Sequence, residues 1–246
     1  MFLRTLTLLT LLATPLAALD IDAMTDAERA LFRAEVRAYL LENPEVLMEA
    51  IGILQDREAN AQTDLDRDLA IANAEALVND GHSWVGGNPD GDVTLVEFMD
   101  YRCGYCKQAF AEVNELIGTD GNIRFIVKEF PILGEQSVLA SQFAIAVQQL
   151  HGAAAYEDVH HALMTQRSDI TAQSLTELAE AFEFDAAALF ARMSGPEVAA
   201  VIDQNAALAS ALQISGTPTF VMEDQMLRGY VPLAQMQEIV AMVRDE

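Results

Sequence analysis

Apolar positions in the first third of the chain recur with the spacing of amphipathic helices. Thr25 followed by Glu28 forms a capping-box pattern, which is typical of a helix start. Asn43 and Pro44 together indicate a helix end and a new helix start, because Asn is a good N-cap and Pro fits the first helical position. The second helical run continues to Asn79, which is long for a globular helix. Its narrow apolar stripe needs a cover, either from the rest of the chain or from a second copy.

The pattern changes after residue 80. Residues 81–92 are rich in Gly, Asn, Pro and Asp, which predicts a linker into a second domain. Val93–Met99 and Ile123–Val127 are apolar runs of strand length, and a strand pair is predicted from Thr219 onwards. Several helical segments lie between them, over about residues 135–212. The order strand, helix, strand, helical block, strand pair and helix predicts an α/β fold with one large helical insertion.

Residues 1–18 have the pattern of a secretory signal peptide. Arg4 precedes a leucine-rich run, Pro15 interrupts this run, and the small residues Ala17 and Ala18 follow. The run is shorter than the roughly 20 apolar residues that a membrane-spanning helix needs. We therefore expect cleavage after Ala17 or Ala18 and export of the mature chain to a compartment that permits disulfides.

Charge and cysteine content narrow the classes of function. The chain has 246 residues, with 14 Lys and Arg against 38 Asp and Glu, for a formal net charge of −24. We expect no nucleic-acid partner, because proteins neutralise backbone phosphates with Lys and Arg. Docking on anionic lipid is disfavoured for the same reason. With only two cysteines, a framework of several disulfides is excluded.

The two cysteines, Cys103 and Cys106, lie where an apolar strand run meets a helical run. The N–H groups and the dipole of a helix start favour a negative charge at Cys103. This stabilises the thiolate, which is the reactive form of cysteine and a good leaving group. We interpret Cys103 as the attacking thiol that forms a mixed disulfide with the substrate. Cys106, one turn later and more buried, is the predicted resolving thiol.

Two other interpretations of the cysteine pair stay open. A structural disulfide is one, although a loop of two intervening residues constrains little of the unfolded chain. Half of a zinc or copper site is the other, and it needs further ligands, which the four histidines do not offer in a paired spacing. We assign no metal ligands from the sequence.

Two further positions are candidates for the same chemistry. Glu97 lies inside the apolar run before the cysteines. It is either an edge-strand side chain that faces water, or a buried carboxyl with a raised pKa that moves the proton of Cys106. Thr217 and Pro218 precede the next strand, where proline is tolerated. Their peptide bond is either an ordinary trans bond or a cis bond, which is rare and usually functional.

Residues 87–106, which end in Cys103-Gly104-Tyr105-Cys106, resemble the active-site segment of DsbA-like thiol-disulfide oxidoreductases. Phe130–Gly134 and Gly216–Phe220 resemble later motifs of that family. The resemblance covers about residues 82–244 and implies a thioredoxin fold with a helical insertion.

The resemblance also implies roles for single residues. Pro218 is expected to be cis and to face the cysteine pair, and the main chain of Thr217 is expected to bind substrate peptide as an added strand. Glu97 matches a buried acidic position of the family. Gly104 and Tyr105 between the cysteines, like Thr217, also occur in disulfide isomerases.

Residues 32–51 resemble the N-terminal domain of ScsC proteins, which are DsbA relatives linked to copper tolerance, some of them trimeric. Together the two resemblances imply a periplasmic thiol-disulfide oxidoreductase without a cofactor, and an isomerase if the chain is a homotrimer through residues 20–80. Expected partners are cysteine-containing exported proteins and a membrane redox partner that recycles the pair. The alternatives are a copper-binding protein that uses the reduced cysteines and an assembly protein based on the N-terminal helices.

Overall fold

The computed structural model of the protein describes residues 23–245, so the predicted signal peptide lies outside the described residues. Ten helices occur in this part of the chain: α1 Asp26–Glu42, α2 Glu45–Ala72, α3 Ala74–Val78, α4 Gly104–Asp120, α5 Glu135–His151, α6 Ala153–Thr165, α7 Ala172–Ala181, α8 Ala186–Met193, α9 Pro196–Ala211 and α10 Leu233–Asp245. Five strands accompany them: β1 Trp84–Gly87, β2 Val93–Met99, β3 Ile123–Glu129, β4 Thr219–Met222 and β5 Gln225–Arg228. The chain divides into two compact units after Glu58. None of the helices within residues 23–245 is long and apolar enough to cross a membrane.

The first unit contains α1 and the beginning of α2. The capping box at Thr25 is confirmed, with the Glu28 N–H donating to the Thr25 hydroxyl and the Thr25 N–H donating to the Glu28 carboxylate. No residue of α1 is buried. The helical run predicted to be continuous to Asn79 is interrupted at Asn73, because the amide of Asn73 donates to the carbonyl of Leu69 and competes with the helical pattern.

The second unit is built on a five-stranded sheet with the order β1-β3-β2-β4-β5. β2 and β3 run parallel, and the other neighbouring pairs are antiparallel. Since β2 lies in the centre of the sheet, both of its faces are covered, and five of its seven residues from Leu95 onwards are buried without a break. The α/β fold with a helical insertion is confirmed, and α5 to α9 form the insertion between β3 and β4.

Strand β1 was not predicted, because residues 84–87 lie inside the segment interpreted as a linker. Its formation depends on partners far along the chain. The indole N–H of Trp84 donates to the carbonyl of Ala153 at 3.0 Å, and the ring stacks on Tyr156 at 5.5 Å. A Cβ atom at Gly86 would lie 2.0 Å from the ring of Trp84, so glycine is needed there. The glycine-rich sequence therefore serves close packing and not a flexible linker.

One buried ion pair attaches the segment after α2 to the sheet. Lys128 of β3 has no exposed surface, and its ammonium group donates to the carbonyl of Ala76 at 3.0 Å and pairs with Asp80. Burial by itself raises the pKa of Asp80, but hydrogen bonds from Lys128, from Ser83 and from the main chain of His82 outweigh it and lower the pKa to about 2. The pair thus holds α3 and the following loop against strand β3 of the sheet.

Replacing Lys128 by methionine should reduce the free energy of unfolding by about 3 kcal/mol, because Asp80 is then left without its buried partner. Denaturant unfolding of the purified protein measures this. The double variant Lys128→Met, Asp80→Asn is the control and should recover part of the loss. A loss within about 0.5 kcal/mol, as at an ordinary surface site, would contradict this account of the ion pair.

Candidate active site

The cysteine pair lies at the N-terminal end of α4. Cys103 is the N-cap residue, and its sulfur accepts a hydrogen bond from the main-chain N–H of Cys106 at 3.4 Å. Cys103 is 6% exposed and Cys106 is fully buried, and both are free thiols. The predicted placement between a strand and a helix is confirmed, and so is the deeper burial of Cys106.

The two sulfurs differ strongly in proton affinity. The pKa of Cys103 is lowered from 9.0 to about 5, chiefly by the hydrogen bond from the Cys106 side chain. Hydrogen bonds from the Thr217 side chain and from main-chain N–H groups lower it further, against the effect of burial. The pKa of Cys106 is raised far above its ordinary value, first by the hydrogen bond with Cys103, then by burial and by the charge of Glu97. Near neutral pH, therefore, Cys103 is a thiolate and Cys106 keeps its proton.

The loop before β4 lies directly against Cys103. The peptide bond between Thr217 and Pro218 is cis, as the family resemblance implies. In its protonated form, the sulfur of Cys103 donates to the carbonyl oxygen of Thr217 at 3.2 Å. The structure thus brings together two segments that are more than a hundred residues apart in the sequence.

Glu97 is a buried carboxyl on the central strand β2, opposite Val127 and Phe220 of the neighbouring strands. It is 1% exposed, so the interpretation as a water-facing edge residue is wrong. Burial and, secondarily, the charge of Cys103 raise its pKa to about 8. Its Oε1 atom has no hydrogen-bond partner in the described part of the chain. A carboxyl that is protonated at neutral pH and titrates near it is suited to proton transfer.

The two residues between the cysteines face outward. Gly104 is the first residue of α4, and a Cβ there would meet nothing within 4 Å. The side chain of Tyr105 is 64% exposed. Neither residue makes a side-chain contact that explains its identity, and both form accessible surface beside the sulfur of Cys103.

Two buried carboxyl groups next to the site, Asp100 and Glu129, were not predicted from the sequence. Glu129, at the end of β3, accepts hydrogen bonds from the hydroxyls of Tyr101, Tyr156 and Ser141 at 2.6 to 2.8 Å. Burial raises its pKa to about 7 although these hydrogen bonds act in the opposite direction. The sequence signal that could have revealed these two carboxyl groups is an acidic residue at the end of each apolar strand run.

The histidines do not complete a metal site. Residues 23–245 contain no group of three or more His, Cys, Asp or Glu side chains placed to hold a metal ion. His160 is buried, lies 2.9 Å from the Tyr101 hydroxyl, and has its pKa lowered to about 3 by burial. The copper-binding alternative therefore depends on the two cysteine sulfurs alone.

Comparison with known families agrees with this geometry. Residues 94–241 match the model of the DSBA-like thioredoxin domain, and this match covers more than half of the chain. The chain belongs to the DSBA-like thioredoxin family. Residues 28–61 match the N-terminal domain of the copper resistance protein ScsC. This DSBA-like protein thus has the fold of the DsbA-like thiol-disulfide oxidoreductases. Its homologues include ScsC-like proteins.

Two solved structures illustrate the relationship. A thioredoxin-like oxidoreductase from Silicibacter pomeroyi DSS-3 is 41% identical, with a TM-score of 0.66 over 70% of this chain and 98% of that one. ScsC from Proteus mirabilis, in a transitional conformation, is 28% identical, with a TM-score of 0.64 over 89% of this chain and 97% of that one. The second comparison extends over the N-terminal helices as well.

A curated relative, the Na(+)/H(+) antiporter NhaA 3 from Salinispora tropica, is 27% identical over 145 residues. The aligned part is 59% of this chain but only 22% of the antiporter. The DSBA-like chain therefore spans about a fifth of the length of that relative.

We expect the ultraviolet absorbance of the thiolate in the reduced protein to titrate with a midpoint near pH 5, and Cys103→Ser to abolish this transition. Because the folded pKa lies below the ordinary value of 9.0, the reduced form should gain stability relative to the oxidised form as the pH rises from 5 to 9. This gain should be lost as the pH falls through 5. A midpoint near 9 would contradict the assignment.

Proposed function

We propose that this protein exchanges disulfides with cysteine-containing exported proteins in the periplasm, through Cys103 and Cys106. The observation that carries the proposal is the environment of one sulfur. Cys103 caps the start of α4, receives hydrogen bonds that favour its thiolate, and lies 3.2 Å from the carbonyl that precedes the cis proline. A stabilised thiolate at Cys103 lowers the free energy of the reduced pair, so the disulfide with Cys106 is readily reduced. The same low pKa makes Cys103 a good leaving group from its mixed disulfide with the substrate.

In the oxidising direction, a substrate thiolate attacks the sulfur of Cys103 in the Cys103–Cys106 disulfide. A bond forms between the substrate sulfur and Cys103, the bond to Cys106 breaks, and the electron pair goes to the Cys106 sulfur. A second substrate thiolate then attacks the first substrate sulfur and releases Cys103 as a thiolate. The substrate gains one disulfide and the protein gains two electrons, so a membrane redox partner must oxidise the pair again.

Glu97 supplies the proton that Cys106 needs when the Cys103–Cys106 disulfide opens. The sulfur of Cys106 becomes negative when the disulfide opens, and Cys106 binds its proton strongly in the reduced protein. The buried carboxyl of Glu97 is protonated at neutral pH and interacts electrostatically with both sulfurs. Transfer from Glu97 to Cys106 therefore avoids a thiolate at a sulfur that has no exposed surface.

Substrate peptides are expected to bind along the segment that contains Thr217. This residue is half-buried, precedes the buried Pro218, and contacts Cys103 through its main chain. An extended peptide that pairs with this main chain would place its cysteine beside Cys103.

Self-association of the N-terminal helices would favour isomerisation, because several active sites would then surround one misfolded substrate. The first unit has an apolar groove of about 410 Å³, lined mainly by Phe32, Val36, Leu40, Leu41 and Leu47. Phe32 is 45% exposed and Leu47 is 49% exposed, which is unusual for side chains of this size on one face. We propose that copies of this chain assemble as a homotrimer through residues 20–80.

Export is supported by the pattern of residues 1–18 and by the cysteine chemistry. A reactive dithiol that must be oxidised again after each turnover needs a compartment in which disulfides persist. Arg4 would be removed with the signal peptide, so the mature chain would be slightly more acidic than the full sequence.

Cys103→Ser should abolish oxidation of a reduced model protein, since the sulfur that forms the mixed disulfide is then absent. Cys106→Ser should instead accumulate the mixed disulfide with the substrate, because no thiol remains to resolve it. Non-reducing electrophoresis with mass spectrometry measures both. Normal turnover by Cys103→Ser would refute the proposed function.

The double variant Phe32→Asp, Leu47→Asp should be monomeric in light scattering, whereas the wild type should have three times the mass of the mature chain. The reason is that two charges in the apolar groove oppose its burial against a second copy. The variant should still oxidise a dithiol but lose refolding of a scrambled substrate. Glu35→Asp on α1 is the matched exposed control. A monomeric wild type would contradict the assembly.

A further inference from the structure

The turn between β2 and α4 contains a buried carboxylate that the mechanism above does not use. Asp100 has no exposed surface. Its Oδ1 atom accepts from the main-chain N–H of Arg102 at 2.7 Å. Its Oδ2 atom accepts from the main-chain N–H groups of Ile132 and Leu133 at 2.8 and 3.0 Å. One side chain thus fixes peptide groups on two separate segments.

The main chain of Asp100 faces both cysteines. Its carbonyl oxygen accepts from the N–H of Cys103 at 3.0 Å. A main-chain hydrogen bond from Asp100 also lowers the pKa of Cys106, against the larger effects that raise it. Because the hydrogen bond to Arg102 closes an Asx turn, the side chain of Asp100 also sets the direction in which the chain enters Cys103.

The bonds to Ile132 and Leu133 anchor this turn to the end of β3. Two further bonds act between the same segments. The N–H of Phe130 donates to the carbonyl of Met99 at 2.9 Å, and the hydroxyl of Tyr101 donates to Glu129 at 2.8 Å. The turn before Cys103 is therefore held against the end of β3, and Asp100 belongs both to this anchor and to the hydrogen bond at the main chain of Cys103.

We propose that Asp100 is a positioning residue that holds the main chain around Cys103 and Cys106 in the arrangement that favours the dithiol form, and so helps to set the reduction potential of the pair. This inference rests on the proposed function. The relevant equilibrium oxidises two glutathione thiols to one glutathione disulfide while the Cys103–Cys106 bond is reduced to a thiolate and a thiol. An arrangement that stabilises the thiolate displaces this equilibrium towards the dithiol.

The charge of Asp100 and its positioning role predict opposite displacements of the dithiol–disulfide equilibrium when the residue is replaced. A buried negative charge near Cys103 by itself disfavours the thiolate, so its removal would displace the equilibrium towards the dithiol. Loss of the positioning would displace it towards the disulfide. The sign of the shift therefore separates the two roles, and a purely structural role would give no shift.

The test compares Asp100→Asn with the wild type in glutathione redox buffers, alongside the thermal midpoint of each protein. The amide can accept from Arg102 but turns its NH₂ group towards the donors of Ile132 and Leu133. We expect a displacement of about tenfold towards the disulfide, equivalent to ~30 mV. Asp66→Asn is the matched control, because Asp66 is also a buried acidic residue. Asp66 pairs with Arg228 and contacts neither cysteine.

The control should lose thermal stability with an unchanged equilibrium constant. An unchanged constant in Asp100→Asn, or a displacement towards the dithiol, would overturn the proposal. If Asp100→Asn does not fold, Asp100→Ser keeps a hydroxyl for the turn but cannot reach Ile132, and the same displacement is required of it. Failure of the wild type itself to equilibrate with glutathione would refute the proposed function instead.

Discussion

The site depends on the hydrogen bonds that converge on the sulfur of Cys103. The N–H of Cys106 and the thiol of Cys106 both stabilise a negative charge there, and they do so because Cys103 is the N-cap of α4. The same interaction makes Cys106 hold its proton more tightly. One local arrangement therefore produces a thiolate at Cys103 and a protonated thiol at Cys106 from two identical side chains.

The rest of the fold positions this helix start. The central strand β2 ends shortly before it and buries the carboxyl of Glu97, whose pKa is raised by burial and further by the charge of Cys103. The loop with the cis peptide bond before Pro218 approaches from β4. The helical insertion packs into the same apolar core as the two cysteines. It also contributes Tyr156 and Ser141 to the hydrogen bonds of Glu129. These contacts are long-range, so the site exists only in the folded domain.

What the sequence could predict follows from the range of each signal. The strand Val93–Met99, the helix start at Cys103 and the insertion are local patterns, and the structure confirms them. Strand β1 could not be found, because the burial of Trp84 depends on Tyr156 and Ala153. The sequence left the environment of Glu97 open, because burial of a carboxyl on a central strand is a property of the whole sheet.

The most direct test of the account is the pH dependence of alkylation of the reduced protein, followed separately at each cysteine by mass spectrometry. The account predicts that Cys103 reacts at a rate that rises with a midpoint near pH 5 and then levels off, while Cys106 stays unmodified in the folded protein. Equal reactivity of the two cysteines, or a Cys103 rate that still rises at pH 9.0 as for an ordinary thiol, would contradict it.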